Sequence, residues 1–179
     1  MSDSGKVMPK GLKQTSAPII ISFDVDEAAP GNVFTQAQIA MQLNVLDREV
    51  FVCTGTNLDI SPPDAQAGVD TRVRGSLSTT SRSTIGDLAD NNVIASARDD
   101  IKAAGFVDGG VAFQEISPET PTSNALDYVG IIATNDFFVQ VQGVGNLAAR
   151  GVSGRMYGVR ARASASIYSA LVQSEILSS

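Results

Sequence analysis

Histidine and tryptophan are absent from this chain, and cysteine occurs once. Without histidine the commonest general base, the usual triad base and the commonest zinc or copper ligand are missing. A single cysteine, Cys53, excludes an internal disulfide and a cysteine zinc cluster. It lies in the strand-like run EVFVCTG, where a small buried thiol is expected rather than a nucleophile. Aromatic residues make up only 6% of the chain, so its core must come from small and β-branched side chains. Charge is sparse as well: 18% of residues carry one, and Ser, Thr, Asn, Gln and Gly fill the polar positions. No apolar run reaches the length of a membrane span, and residues 1–18 lack the apolar stretch of a signal peptide. Synthesis in a cytosol is the expectation.

What charge there is lies unevenly. The formal net charge is −6. Residues 1–18 carry +2, residues 19–136 carry −11, and residues 137–179 carry +3, with no acid between Asp136 and Glu175. An acidic body with two basic ends points to head-to-tail partners or to a polyanion. The basic side chains in question are Lys6, Lys10 and Lys13 near the start and Arg150, Arg155, Arg160 and Arg162 near the end. Only Tyr157 and Tyr168 accompany the arginines, so base stacking on a single strand is not expected, and any nucleic acid contact would be non-specific. Contacts between subunits are the favoured reading of both basic ends.

Periodicity organises the rest. Residues 1–18 are polar, contain Pro9 and Pro18, and read as an arm that a partner would order. Residues 19–179 read as one domain. IIISFDVDE alternates as a strand, and a turn cluster, AAPGN, follows. FTQAQIAMQL and EVFVCTGTNLDI read as two strands broken near Leu46–Arg48. TRVRGSLST and GVAFQEIS are further strands, and PETPTSN is a loop. YVGIIA and FFVQVQG form an expected hairpin about TND. In GVRARASASIYSALV, residues 158–172, apolar Val159, Ala161, Ala163, Ala165 and Ile167 alternate with polar neighbours, which predicts a strand with its small apolar face inward. One helical insertion is expected around residues 88–104, where Val93, Ala97, Ile101 and Ala104 recur at helical spacing. About eight strands and one helix define a mainly β fold, an antiparallel β-sandwich. The jelly roll is one such sandwich, and the sequence does not choose it over others.

Four stretches invite chemistry. Asp24, Asp26, Glu27 and Asn32 supply oxygens, but the EF-hand spacing fails, and a solvated strand edge is favoured over a calcium site near Asp24 and Asp26. Asp47 and Glu49 flank Arg48, which reads as a surface ion pair or strand-end turn rather than an acid–base pair. GVGN lacks the third glycine and the following helix of a dinucleotide loop. The hydroxyl run STTSRSTIG is read as a loop bonding backbone groups or a neighbouring subunit. No catalytic residue, metal or cofactor is assigned.

DFFVQVQGVGN, followed by RMYGVRARASASIYSAL, resembles the closing strands of small virion structural proteins, the capsid and coat subunits of marine viruses. These too are low in His, Cys and Trp. The resemblance covers the final quarter of the chain, and the remainder only in style. It implies a β-rich shell subunit with an extended arm. The expected function is therefore that of a non-enzymatic, self-assembling virion capsid or coat protein, made in the host cytoplasm and located in the virion. Its partners would be copies of itself and other virion proteins. The alternative is a decoration, fibre or carbohydrate-binding β-sandwich acting as a small oligomer.

Overall fold

A computed structural model describes residues 8–103, 105, 112–117 and 126–177. The strands in chain order are β1 (Leu12–Gln14), β2 (Ile19–Asp26), β3 (Thr35–Ala40), β4 (Glu49–Ile60), β5 (Thr71–Ser78), β6 (Val93–Lys102), β7 (Phe113–Ile116), β8 (Gly130–Ile132), β9 (Asp136–Val144) and β10 (Gly151–Ala163). A single helix, α1 (Ala165–Leu177), closes the described chain. The fold is mainly β, as the patterning predicts: two antiparallel sheets form a sandwich.

The first sheet runs β1–β10–β4–β8. β2 lies on the same edge of β10 as β1, pairing with residues 151–158 while β1 pairs with 161–163. The second sheet runs β3–β9–β5–β6–β7. The facing sides of the sheets carry the period-two apolar residues: Phe23 and Val25 from β2, Phe51 and Cys53 from β4, Val73 and Leu77 from β5, Phe137, Val139 and Val141 from β9, Val152 and Met156 from β10. Phe23 and Phe137 meet edge to face across the gap, their centroids 5.9 Å apart. With few aromatics, the layers come close: a Cβ on Gly75 would stand 3.1 Å from the Val152 side chain of the opposite sheet.

Three sequence expectations are corrected. The helix around 88–104 is the strand β6, paired with β5 on one side and β7 on the other (Ala104 itself lies outside the described residues). A spacing of four is also twice the strand period. In a regular strand Val93, Ala97 and Ile101 would share one face as readily as in a helix, and neighbouring strands supply the ladder that decides. Between Leu77 and Ser78 the β5–β6 register shifts, so Ile94 is the extra residue that a bulge inserts, and it packs into the core beside Ala95 and Ala97.

The hairpin about TND is a crossover. β8 pairs with β4 in the first sheet, whereas β9 pairs with β3 and β5 in the second. The strand over residues 158–172 ends at Ala163, and α1 begins at Ala165. Ile167, Tyr168, Leu171 and Val172 form one stripe at helical spacing, and that stripe packs on Val50, Val52, Val159, Ala161 and Ala163. The small apolar face of β10 therefore points out of the sandwich, under the helix, while Arg160 and Arg162 take the opposite side, in register with Phe51 and Glu49 of β4. The first sheet has an apolar layer on both sides at this end.

The segment 1–18 contains β1. Leu12 is buried under α1, the Ser164 amide donates to the Gly11 carbonyl at 3.0 Å, and the Thr15 amide donates to the Arg160 carbonyl at 2.8 Å. Gly11 has φ +83°, and a Cβ there would strike Ile167, so the clasp between chain start and helix requires glycine. For residues 8–16, the partner that orders the arm is the chain's own β10 and α1. The loop at 118–124 lies outside the described residues.

Candidate functional site

The basic side chains do not form one free face. Arg150 pairs with Asp64, Arg160 lies 3.7 Å from Glu49 and donates to the Met41 carbonyl at 2.9 Å, and Arg162 lies 3.2 Å from Asp47. The acids of LDREV are thus ion-paired at a strand end, with Arg160 and Arg162 rather than Arg48 as partners. Arg48 instead takes a left-handed conformation, φ +54°, that ends the 3-10 turn Val45–Asp47. Lys10 and Lys13 are exposed, Lys13 directly opposite Arg162 in the β1–β10 ladder. Arg155 is exposed on β10 with no ion pair among the described residues. Lys6 lies outside the described residues.

At the end of the sandwich where β10 begins, three loops are tied together. The Glu27 carboxylate accepts the amides of Val33 at 2.9 Å, Gly143 at 2.6 Å and Arg150 at 2.9 Å. Asn32 and Asn146 bond reciprocally: the Asn32 amide donates to the Asn146 carbonyl at 2.7 Å, and the Asn146 amide N–H to Asn32 Oδ1 at 2.9 Å. Asn146 Oδ1 accepts the Asp64 amide, and Asp64 accepts the Leu147 amide and the Arg150 guanidinium. That guanidinium, with the Leu147 amide, holds the Asp64 carboxyl below its ordinary value. The knot links the β2–β3, β4–β5 and β9–β10 loops. Asp24 and Asp26 stay on the exposed face of β2, while Glu27, also weighed as a calcium ligand, is spent on backbone amides.

The outward side of the second sheet carries a second polar network. Ser76 Oγ donates to Gln140 Oε1 at 2.7 Å, and Gln140 Nε2 donates to Ser78 Oγ at 2.8 Å and Gln36 Oε1 at 2.9 Å. The hydroxyl run then folds over these groups. Gly86 donates to Ser76 Oγ, and Arg82 donates to Asn92 and Asp90, each at 2.7 Å. Within the run, Ser78 Oγ donates to the Thr80 carbonyl at 2.7 Å and Arg82 Nε to the Thr84 carbonyl at 3.3 Å, which agrees with a loop whose side chains bond backbone groups. Sequence reasoning passed over Gln140 and Asn146, and weighed Glu27 only as a cation ligand, not as the acceptor that ties three loops. Asn146, which follows two closely spaced glycines, was the position most open to detection, since Asn at a loop turn bonds nearby backbone.

Nothing in these arrangements activates a nucleophile. Cys53 is buried and the loss of solvent pushes its thiol up to about 12. The surface instead offers apolar side chains on pinned backbone. Leu147 is 78% exposed and Leu46 is 95% exposed. Both are held from behind: the Leu147 amide donates to Asp64, and the Leu46 amide to Asn44 Oδ1 at 3.1 Å. Val33 and Val144 are exposed beside the first, Val45 beside the second. No described helix is long and apolar enough to cross a membrane.

No protein-family model and no curated protein matches the chain. The resemblance to marine-virus virion proteins therefore has no support in those sequence comparisons. Among solved structures, the chain is similar to one from Desmodium yellow mottle tymovirus, with 12% identity and a TM-score of 0.28, covering 92% of this chain and 99% of that one. It is also similar to a chain from the empty head of turnip yellow mosaic virus, with 11% identity and a TM-score of 0.29, covering 92% and 89%. At this identity and TM-score neither likeness bears on function.

Proposed function

We propose that the chain is a structural subunit that assembles with copies of itself into a shell, as a virion capsid or coat protein does. The observation that carries this is the pair of pinned apolar tips at opposite ends of the sandwich. An exposed leucine on a mobile loop loses entropy when a partner orders it. Leu46 and Leu147 sit on backbone already fixed by hydrogen bonds, so burying them against a neighbour forfeits less. Two sticky sites at the two ends of one body permit repeated association, which closes when the rotation between neighbours closes.

The strand order supports a jelly-roll reading. β2–β10–β4–β8 faces β3–β9–β5–β6, two nested Greek keys, with β1 and β7 added at edges. That topology serves viral shells, lectins and cupins alike, so it agrees with the proposal without deciding it. The chain acts by association and performs no chemistry. Its location is the virion, and of the basic side chains singled out in the sequence, Lys10, Lys13 and Arg155 are exposed with no ion pair among the described residues and serve other subunits or non-specific contact with nucleic acid. Arg150, Arg160 and Arg162 contribute less to either, because acids of the same chain already neutralise them.

The test is particle mass by light scattering with negative-stain microscopy, across salt concentration, for the wild-type chain and for Leu46→Ser and Leu147→Ser. Large regular particles or tubes are expected from wild type, and smaller species from each variant at unchanged stability. A wild-type monomer or trimer at every salt and concentration would overturn the proposal and favour a decoration, fibre or carbohydrate-binding module.

A further inference from the structure

Glu175 is the only acid after Asp136, and it sits near the C-terminal end of α1 with 7% of its surface exposed. Oε1 accepts the Ala133 amide at 2.8 Å, just past the end of β8. Oε2 is buried and has no hydrogen-bond partner. Beside it a cavity of about 140 Å³ separates α1 from the sheet, lined by Leu171 and Ser174 of the helix, Gly130 and Ile131 of β8, and Asn91 and Asn92 of the covering loop. The two ends of the helix are therefore held differently. Ile167 and Tyr168 rest on the apolar layer of β10 and β1. Past Val172 the helix lies over this partly open pocket, where the Glu175 carboxyl bonds the Ala133 amide.

We propose that the C-terminal half of α1 is a pH-dependent latch, closed on Ala133 while Glu175 is a neutral acid and released when Glu175 ionises. A neutral carboxyl leaves one hydroxyl unsatisfied, whereas an ionised one leaves a buried charge supported only by the Ala133 amide and Thr134, which costs far more. Among the described residues, only Ala133 and Thr134 favour the ionised form. α1 presents Leu171 and Ser174, β8 presents Gly130 and Ile131, β6 presents Val93 and Ile94, and the covering loop presents Thr79, Asn91 and Asn92, none of them charged. Among the described residues the one facing charge is Asp136 at the start of β9, of the same sign. Burial, then, pushes the carboxyl above its ordinary value of 4.5, and Asp136 adds to this, while Ala133 and Thr134 offset part of it. The negative end of the helix dipole works in the same direction as Asp136.

The linkage has a definite sign. Between the ordinary glutamate value and the raised one, the closed state holds a proton that the open state has lost. Closure is complete below that window and weakens as pH rises through it. Opening would uncover β8, the edge strand of the first sheet, together with Ala133. The latch is a property of the single chain and stands whether or not the chain assembles.

Hydrogen exchange of the full-length chain, followed by mass spectrometry over roughly pH 5 to 8, tests it. Protection of the Ala133 amide and of the last two turns of α1 is measured relative to β5. It is expected to fall by about tenfold for each unit by which burial raises the carboxyl. In Glu175→Gln, which keeps the oxygen that accepts from Ala133, protection should be the same at all pH values. Identical pH profiles for wild type and Glu175→Gln would overturn the latch, as would a Glu175 carboxyl that titrates at its ordinary value by carbon-detected NMR.

Discussion

Glu27 and Glu175 are both glutamates with under a tenth of their surface exposed, and they are held in opposite ways. Glu27 closes a knot in which three backbone amides point at its two oxygens. Glu175 has one such amide and an empty side. The first is buried because its charge is used: it satisfies donors that three loops would otherwise leave bare. The second is buried because the helix that carries it covers apolar surface. Low exposure alone says nothing about which case applies, and the donor count separates them. One end of the sandwich is thereby locked, while the C-terminal half of α1 is only latched.

The largest effect should come from the lock. Glu27→Ala removes the acceptor for three amides at once. At about 1–3 kcal/mol for each buried group left unpaired, and with water entering near the surface, a loss on the order of 3 kcal/mol is expected in urea unfolding. A loss under about 1 kcal/mol would mean that water replaces the carboxylate freely, and the contrast between the two glutamates would collapse.

Acid provides a second test, of intermediate size. Asp64 has its carboxyl held below the ordinary value of 3.8, first by Arg150 and then by the Leu147 amide. Its contribution is present above that value and is lost as pH falls below it. Glu175 behaves in the reverse sense, losing its contribution as pH rises. Stability measured against pH should therefore fall on the acid side through Asp64 and soften on the alkaline side through Glu175. Arg150→Ala should flatten only the acid limb, and Glu175→Gln only the other. A single variant that flattened both would show that the two ends are coupled.

The sheets were legible in the sequence because period two survives in β2, β4, β5, β9 and the first part of β10, each with one face in the core. Two errors of element type share one cause. Val93, Ala97 and Ile101 fit both periods, and Ile167 belongs both to the strand-period series Ala163, Ala165, Ile167 and to the helical stripe Ile167, Tyr168, Leu171, Val172, so short apolar series could not separate strand from helix. What decides them lies far away in sequence: β5 and β7 beside β6, and β10 beneath α1. The crossover after β8 was hidden for the same reason, since a short polar break reads as a hairpin whichever sheet the next strand joins. The knot was harder still. Glu27 and Gly143 are separated by 116 positions, Asn32 and Asn146 by 114, and no local pattern relates them.

The smallest expected effect sharpens the comparison at the far end of β10. Arg162 and Asp47 stand 3.2 Å apart, with each side chain 54% exposed. A pair this wet contributes about 0–1 kcal/mol, because water screens it and two long side chains lose freedom to form it. Arg162→Ala should leave the urea midpoint almost unmoved. Arg150→Ala, at the knot, should lower it, because that guanidinium serves an Asp64 already bonded to Asn146 and Leu147 of the β9–β10 loop. If Arg162 meets a neighbouring subunit, its removal will instead change the salt concentration at which particles form, at constant single-chain stability. A fall in stability as large as that of Arg150→Ala would place the two arginines in the same class and remove the distinction between a locked end and an open one.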